Sequence, residues 1–218
     1  MSKEELFKKM AEAIHSGDID SARETATKLM DAQVDPLKCI AIMSESIRRL
    51  GDEFERMEVF LPQLILAADA MKGAMEILTP KITSEKLEQS YKGTVIIGTI
   101  QGDVHDVGKS IVALMLNAAG FKVIDLGRDV SPDKFVEEAE NKGADILGVS
   151  ILMTAGRGYV KELAEIAIDS GLKEKCDLIA GGGGATEAWV KSVGYEGFGE
   201  DAADAVRLCT ELMGSRKR

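Results

Sequence analysis

The chain has 218 residues and a formal net charge of −10, with 37 acidic residues against 27 lysines and arginines. A nucleic-acid partner is not expected, because binding to phosphates requires clustered basic side chains. The three cysteines, Cys39, Cys176 and Cys209, are far apart and indicate neither a disulfide framework nor a paired-cysteine metal site. They are typical of a reducing cytosol, so we expect a cytoplasmic protein. The N-terminus lacks a signal peptide, and no apolar run approaches the roughly 18 residues of a membrane span, so no membrane partner is expected.

The first 90 residues carry helical patterns only. Apolar residues recur at three- and four-residue spacing in four segments, and Pro36 and Pro62 mark the starts of the third and fourth. Four helices with short connections predict an antiparallel helical bundle. The polar stretch at 82–92 lacks a core pattern and is interpreted as a linker. We therefore predict a helical cap domain over 1–90 and a second domain over 91–218.

The second domain alternates strand and helix patterns. The predicted strands are Thr94–Ile100, Lys122–Leu126, Asp145–Ser150, Asp177–Ala180 and Gly194–Phe198, and the predicted helices are Gly108–Ala119, Pro132–Lys142, Gly156–Ser170, Ala185–Val193 and Asp201–Met213. The first four strands are continuous apolar runs, which is typical of a parallel sheet covered on both faces. The fold class is therefore α/β, with a doubly wound, flavodoxin-like sheet of five parallel strands after the bundle.

The loop from Gly102 to Ser110 joins the first strand to the helix that follows, where ligands bind in open α/β sheets. It is close to a phosphate-binding P-loop, but five residues separate Gly102 from Gly108, one more than that motif allows. The glycine fingerprint of dinucleotide-binding folds is absent at this turn. A receiver domain would need an aspartate at the end of the third strand, where this chain has Ser150.

His105 in this loop is the candidate metal ligand. Asp103 lies two residues earlier and can accept the second ring N–H, as a carboxylate commonly does for a metal-bound histidine. No second histidine or cysteine is near in the sequence, so a zinc site made from protein ligands is not expected. A single imidazole suffices where a corrin or haem ring supplies the other ligands.

Three short motifs follow one another at fixed spacing. Asp103-x-His105-x-x-Gly108 is followed after 41 residues by Ser150-Ile151-Leu152, and after a further 28 residues by Gly181-Gly182. This pattern resembles the cobalamin-binding proteins that hold B12 with its own base displaced and a protein histidine in its place. The resemblance implies a cobalamin cofactor (methylcobalamin or a related corrinoid), with His105 as the cobalt ligand and Asp103 and His105 as the catalytic pair.

The resemblance also implies that the displaced nucleotide tail lies between sheet and helices, where bulky side chains would block it. The Ser150 hydroxyl and Thr154 are the expected polar wall. The residues expected to bind the cofactor in this domain are Gly102, Asp103, Val104, His105, Asp106, Gly108, Ser150, Leu152, Thr154, Gly181 and Gly182.

The segment at 54–63, FERMEVFLPQ, resembles the helical cap of B12-dependent methionine synthase and of the small corrinoid proteins of methylamine and methanol methyltransferase systems. The resemblance implies that Phe54 and Leu61, with Phe60 and Leu64 nearby, cover the upper face of the corrin. The alternative is that these four side chains are bundle core. The implied function is a non-autonomous carrier of a methyl group on cobalt. Its implied partners are a substrate-specific methyltransferase and a corrinoid:acceptor methyltransferase.

Two other functions share the histidine motif. An adenosylcobalamin-dependent isomerase subunit would need a catalytic barrel, which this sequence lacks. A B12-sensing module would need a DNA-binding domain, which an acidic chain without a helix-turn-helix does not supply.

The chain departs from the resemblance at Gly156. Methionine synthase has a serine there that completes an Asp–His–Ser relay, so the relay in this chain is predicted to consist of Asp103 and His105, unless water or Thr154 takes the place of the serine. Four charged residues lie near the same edge and are candidates for contact with corrin side-chain amides or a partner protein, although solvation is the more common role of such charges: Lys109, Arg128, Asp129 and Arg157. Trp189 is expected to be a packing residue.

Overall fold

A computed structural model describes residues 1–82 and 91–216. Most of the predicted linker, residues 83–90, lies outside the described residues. The chain divides into two compact units, one formed by Met1–Tyr91 with Ala118–Gly120 and the other by Lys92–Asn117 with Phe121–Arg218. Within the described ranges, no helix is long and apolar enough to cross a membrane.

Four helices make up the described part of the first unit, as predicted. They are α1 (Lys3–Ser16), α2 (Ile19–Asp31), α3 (Pro36–Glu55) and α4 (Leu61–Leu78). Local capping explains their limits. The Ser2 side chain accepts from the Glu5 N–H, and the Glu5 carboxylate accepts from the Ser2 N–H, which is a capping box. Asp18 and Asp35 cap α2 and α3, because their side chains accept from the backbone N–H groups of Ser21 and Leu37.

The four helices bury one apolar face each, so they form a bundle around a shared core. The largest fully buried side chains of this core are Met10, Ile14, Leu29, Met43, Leu50 and Leu78. Gly17 ends α1 with a φ of 72°, a left-handed conformation that glycine adopts at little cost. The chain can therefore turn directly into α2.

The second unit contains the predicted five-stranded parallel sheet. Its strands are β1 (Thr94–Thr99), β2 (Lys122–Asp125), β3 (Ile146–Ser150), β4 (Asp177–Gly181) and β5 (Gly197–Gly199), in the spatial order β2-β1-β3-β4-β5. The helices between and after them are α5 (Val107–Ala118), α6 (Pro132–Lys142), α7 (Arg157–Asp169), α8 (Glu187–Ser192) and α9 (Ala202–Arg216).

The sheet is buried on both faces, as the apolar runs predict. All of β1 after its first residue is buried, and so are the central residues of β3 and β4. Phe135 of α6 and Leu163 of α7 are fully buried in the same core, and the Tyr195 hydroxyl donates to the Val160 carbonyl at 2.9 Å. The order of the strands reverses at β1, because β2 lies on one side of it and β3 on the other. Such a reversal opens a crevice at the carboxyl ends of the two central strands.

The prediction for β5 is wrong by three residues at its start. We predicted Gly194–Phe198, whereas the strand begins at Gly197. Gly194 has a φ of 96°, and its N–H donates to the Lys191 carbonyl, so it belongs to the turn that ends α8. A three-residue strand of two glycines and one phenylalanine has no alternation from which its register could be predicted.

Candidate functional site

The strand register brings the three sequence motifs to one edge of the sheet. Thr99 at the end of β1 pairs with Ser150 at the end of β3, and Ser150 pairs with Gly181 at the end of β4. The loop that carries His105, the segment after Ser150 and the glycine segment 181–184 all follow these strand ends. Residues separated by some 80 positions in the sequence are thus neighbours at the predicted ligand edge.

Asp103 is the most fully bonded side chain at this edge. It is completely buried, and each carboxylate oxygen accepts two hydrogen bonds. Oδ1 accepts from the His105 backbone N–H at 3.0 Å and from His105 Nδ1 at 2.7 Å. Oδ2 accepts from the backbone N–H groups of Leu152 at 2.6 Å and Met153 at 2.9 Å. Asp103 therefore ties the histidine loop to the segment that follows β3.

These donors keep Asp103 ionised. Burial by itself raises the pKa of a carboxyl, but the N–H groups of His105, Met153 and Leu152 and the His105 ring outweigh it and lower the pKa of Asp103 to about 2. An ionised carboxylate can only accept hydrogen bonds. His105 Nδ1 therefore carries a hydrogen.

His105 presents its other ring nitrogen outward. Its side chain is 51% exposed, and the Thr99 hydroxyl donates to its backbone carbonyl at 2.9 Å. Since Nδ1 is the donor to Asp103, Nε2 of the neutral ring holds a free lone pair, which is the form that binds a metal. The arrangement orients one imidazole nitrogen as a ligand at the carboxyl edge of the sheet.

Asp129 holds this loop from the connection after β2. Its carboxylate Oδ1 accepts from the Gly102 N–H at 2.8 Å, and its own N–H donates to the Asp103 carbonyl at 3.1 Å. Asp129 has a φ of 55°, in the left-handed region that aspartate tolerates better than most residues. Asp129 is exposed, as expected, but it also bonds the histidine loop.

Lys109 is buried rather than solvated. Its side chain is 2% exposed, and its ammonium group is paired with Asp125 at the end of β2. A buried lysine is stable only with such a partner. The pair links the start of α5 to β2 and so helps to position the loop before α5. Arg128 is mostly exposed, with its guanidinium 3.9 Å from the Asp106 carboxylate, in keeping with a solvated residue.

The side chains around His105 are apolar and exposed. Val104 and Val107 flank the histidine on its own loop, and Leu152 and Met153 follow β3; all four are exposed, Val107 to 71%. An added Cβ at Gly108 would meet no atom within 4 Å, so this side of the loop is open. Val107 and Met153 are absent from the predicted set, although their place beside motif residues was a signal for including them. Exposed apolar groups grouped at one edge indicate a binding surface.

The Ser150 hydroxyl and Thr154 lie at or just after the end of β3, and their place in a polar wall stays a prediction. Ser150 is half-buried at the end of β3, and its hydroxyl has no hydrogen-bond partner among the residues that the structure describes. Thr154 is exposed and begins a 3₁₀ turn, Thr154–Gly156. Both hydroxyls are therefore available to a ligand.

Gly156 leaves no room for a relay serine. It is buried, and an added Cβ would lie 2.9 Å from Cγ2 of Ile100. The second oxygen of Asp103 is instead occupied by the amides of Leu152 and Met153. Backbone N–H groups thus supply hydrogen-bond donors to this oxygen.

The structure requires glycine at positions 181 and 182 for a different reason from the one predicted. Gly182 has a φ of 107°, and an added Cβ would lie 2.3 Å from the Ile151 carbonyl oxygen; at Gly181 it would lie 2.9 Å from the Gly199 carbonyl oxygen. These glycines let neighbouring backbone segments approach closely, whereas we expected them to leave space for a ligand tail. Their place in a tail-binding site stays a prediction.

Alanine at Gly182 should therefore destabilise the protein strongly. Both the positive φ and the contact with the Ile151 carbonyl are unfavourable, and we expect a loss of about 3 kcal/mol in the free energy of unfolding. The control is Gly158→Ala in α7, where an added Cβ meets no atom within 4 Å and φ is not positive. That control should be neutral or slightly stabilising. Urea unfolding of both variants measures the difference, and equal midpoints would contradict the explanation.

Phe54 and Leu61 lie in the first unit, on either side of the connection between α3 and α4. Both are half-buried, Phe60 is 67% exposed, and Leu64 is buried. Leu64 is thus bundle core, as the alternative proposed, while Phe60 is not. The assignment of Phe54 and Leu61 to the upper face of a corrin stays a prediction.

Comparison with known proteins decides the family. A model of the B12 binding domain matches residues 93–207, and a second B12 binding domain model matches residues 6–79. The chain belongs to the B12-binding domain family. Trimethylamine corrinoid protein 2 of Methanosarcina acetivorans is 40% identical to this B12-binding chain over 205 residues, covering 94% of each sequence. Dimethylamine corrinoid protein 1 of the same organism is 38% identical, covering 98% of this chain and all of that protein.

A solved structure shares the architecture of this B12-binding chain. The methanol:cobalamin methyltransferase complex MtaBC from Methanosarcina barkeri contains a chain that superposes with a TM-score of 0.89 at 29% identity, covering 98% of this chain and 81% of that one. The match supports the predicted fold class of a helical region followed by a parallel sheet. The cofactor of the family is cobalamin or a related corrinoid.

The residues of the second unit fit such a cofactor. Among residues 1–82 and 91–216, no group of three or more His, Cys, Asp and Glu side chains could hold a metal ion by itself. One exposed imidazole nitrogen, oriented by Asp103 and surrounded by exposed apolar side chains, is the donor set required when a ring supplies the remaining metal ligands.

Proposed function

We propose that this chain carries a methyl group on corrinoid cobalt between two methyltransferases. In the proposed complex the corrinoid binds with its own base displaced, and His105 Nε2 is the lower ligand. One observation carries the proposal: His105 Nδ1 bonds to an ionised Asp103 that three backbone N–H groups also hold in place, and the His105 side chain is 51% exposed. The bound cofactor supplies the methyl-carrying chemistry.

The residues of the chain have separate tasks in this proposal. Asp103 orients the His105 ring and favours the tautomer with a free Nε2. Val104, Val107, Leu152 and Met153 form the apolar surface beneath the ring, and the Ser150 hydroxyl and Thr154 face the displaced base. The task proposed for Phe54 and Leu61, in the cap domain assigned to 1–90, is to keep water away from the methyl group.

The names of the relatives support methylated amines as the donor class. The partners in this proposal are a methyltransferase specific for that donor and a second methyltransferase that passes the methyl group to its acceptor. The family relation to a chain of a methyltransferase complex supports the first partner.

Reconstitution of the apo chain tests the proposal. Titrated in the dark with methylcobalamin, the chain should bind it and shift its absorption from the base-on to the base-displaced, histidine-ligated form. Brief illumination should then release the methyl group. Adenosylcobalamin is the control ligand. Binding of the adenosyl form alone would contradict a methyl carrier and would favour an isomerase subunit or a B12 sensor.

A further inference from the structure

Two contacts hold the guanidinium group of Arg157. The glycine segment bonds one edge of its plane, and Trp189 of α8 covers one face. Arg157 is the first residue of α7, and its Nε–H donates to the Gly184 carbonyl at 2.7 Å. The centre of its guanidinium lies 5.2 Å from the centroid of the Trp189 ring, a cation–π contact. Trp189 itself packs against the core of the second unit. The arginine is therefore pinned in one orientation rather than simply solvated.

The other edge of this guanidinium is unoccupied. Among the residues that the structure describes, no hydrogen-bond acceptor or carboxylate pairs with its Nη1 and Nη2 atoms. A guanidinium has five N–H donors in a rigid plane, so four remain available. A planar fork of this kind matches two oxygens of a phosphate and loses little conformational entropy when it is already held.

A short chain of contacts links Arg157 to the histidine loop. The Gly184 N–H donates to the Ile151 carbonyl at 3.0 Å, and the next two residues, Leu152 and Met153, donate to Asp103. Gly182 and Gly183, which precede the bonded Gly184, are exposed. These bonds place Arg157 at the same edge of the sheet as the loop that carries His105.

We propose that Arg157 binds the phosphodiester group of the corrinoid's nucleotide tail. This assignment rests on the proposed function, in which the base of that tail is displaced from cobalt. The fork of Arg157 supplies the positive charge and paired donors that a phosphodiester requires, in a chain whose net charge is −10. Gly184 and Trp189 are positioning groups for this arginine.

Two corrinoids that differ in the tail test the assignment. Cobalamin carries the phosphodiester, whereas cobinamide lacks the phosphate, the ribose and the base. Arg157→Gln should weaken cobalamin binding about tenfold and leave cobinamide binding unchanged. Arg157→Lys, which keeps the charge but not the fork, should fall between the wild type and the glutamine variant. Arg207→Gln on α9 removes the same charge elsewhere in the second unit and should alter neither affinity.

The outcomes separate this assignment from the proposed function. An equal loss of affinity for both corrinoids in Arg157→Gln, or no loss of affinity for cobalamin, would overturn the assignment and leave the proposed function standing. Failure of the wild-type chain to bind either corrinoid would overturn both. Trp189 is the single tryptophan, so an anion that binds at Arg157 should change its fluorescence. We expect inorganic phosphate, added without corrinoid, to leave the fluorescence unchanged. A phosphate-induced change that Arg157→Gln abolishes would assign the arginine to a free anion and overturn the assignment to the tail.

Discussion

Asparagine at Asp103 should cost about 3 kcal/mol of folding stability near neutral pH. Four N–H groups converge on the two carboxylate oxygens. An asparagine side chain offers one oxygen, and its amide nitrogen would point its own hydrogens at two of the four donors. Those two donors would be buried without an acceptor, which lowers the free energy of unfolding. Urea unfolding of the apo protein measures the loss without involving the cofactor.

The same substitution should change the pH dependence of stability. The pKa of Asp103 falls from an ordinary value of 3.8 to about 2 on folding. Its contribution of about 2 kcal/mol is therefore fully present above pH 3.8 and is lost as the pH falls towards 2. Asp103→Asn should lack this acid-sensitive component. Asp106→Asn, whose carboxylate is partly exposed beside Arg128, is the matched control and should keep it. An unchanged acid profile in Asp103→Asn would contradict the bonding described for this carboxylate.

Alanine at His105 should remove the lower ligand while leaving the fold intact. The ring is 51% exposed, so we expect the stability of the apo protein to change by less than about 1 kcal/mol. Corrinoid affinity should fall about tenfold or more because a ligand to the metal is lost. With cobinamide, which has no base of its own, reduced to the cobalt(II) state, the electron paramagnetic resonance spectrum of the wild-type complex should show the splitting from one axial nitrogen, and the variant should lack it. Added imidazole, which can occupy the vacated position, should restore it.

The second histidine provides the control for this experiment. His15 lies on α1 and pairs with Glu53 at 2.9 Å within the first unit. His15→Ala should retain both the affinity and the nitrogen splitting. A nitrogen signal that persists in His105→Ala without added imidazole would show that His105 is not the ligand.

Much of the fold could be predicted because local signals agree with the tertiary structure. Helix α6 has the predicted limits, since Ser131 caps its start and Gly143 ends it with a φ of 59°. The continuous apolar runs identified the buried parallel strands. Strand β5 was misplaced, because neither alternation nor an apolar run marks Gly197–Gly199. Where the local signal is weak, the position of a strand depends on its neighbours in the sheet.

The sequence by itself determined the class of site, because residue type and spacing are local properties of the chain. The order of Asp103, His105, Ser150 and the paired glycines was enough to predict a B12-binding protein, and the family match confirmed it. The tertiary structure alone decided how the site is bonded. Oδ2 of Asp103 meets the amides of Leu152 and Met153, 49 and 50 residues away. Arg157 meets Gly184, 27 residues away. Such contacts depend on strand order and register. Nearly every residue has a backbone N–H, so the residue types do not show which of these groups bond a distant side chain.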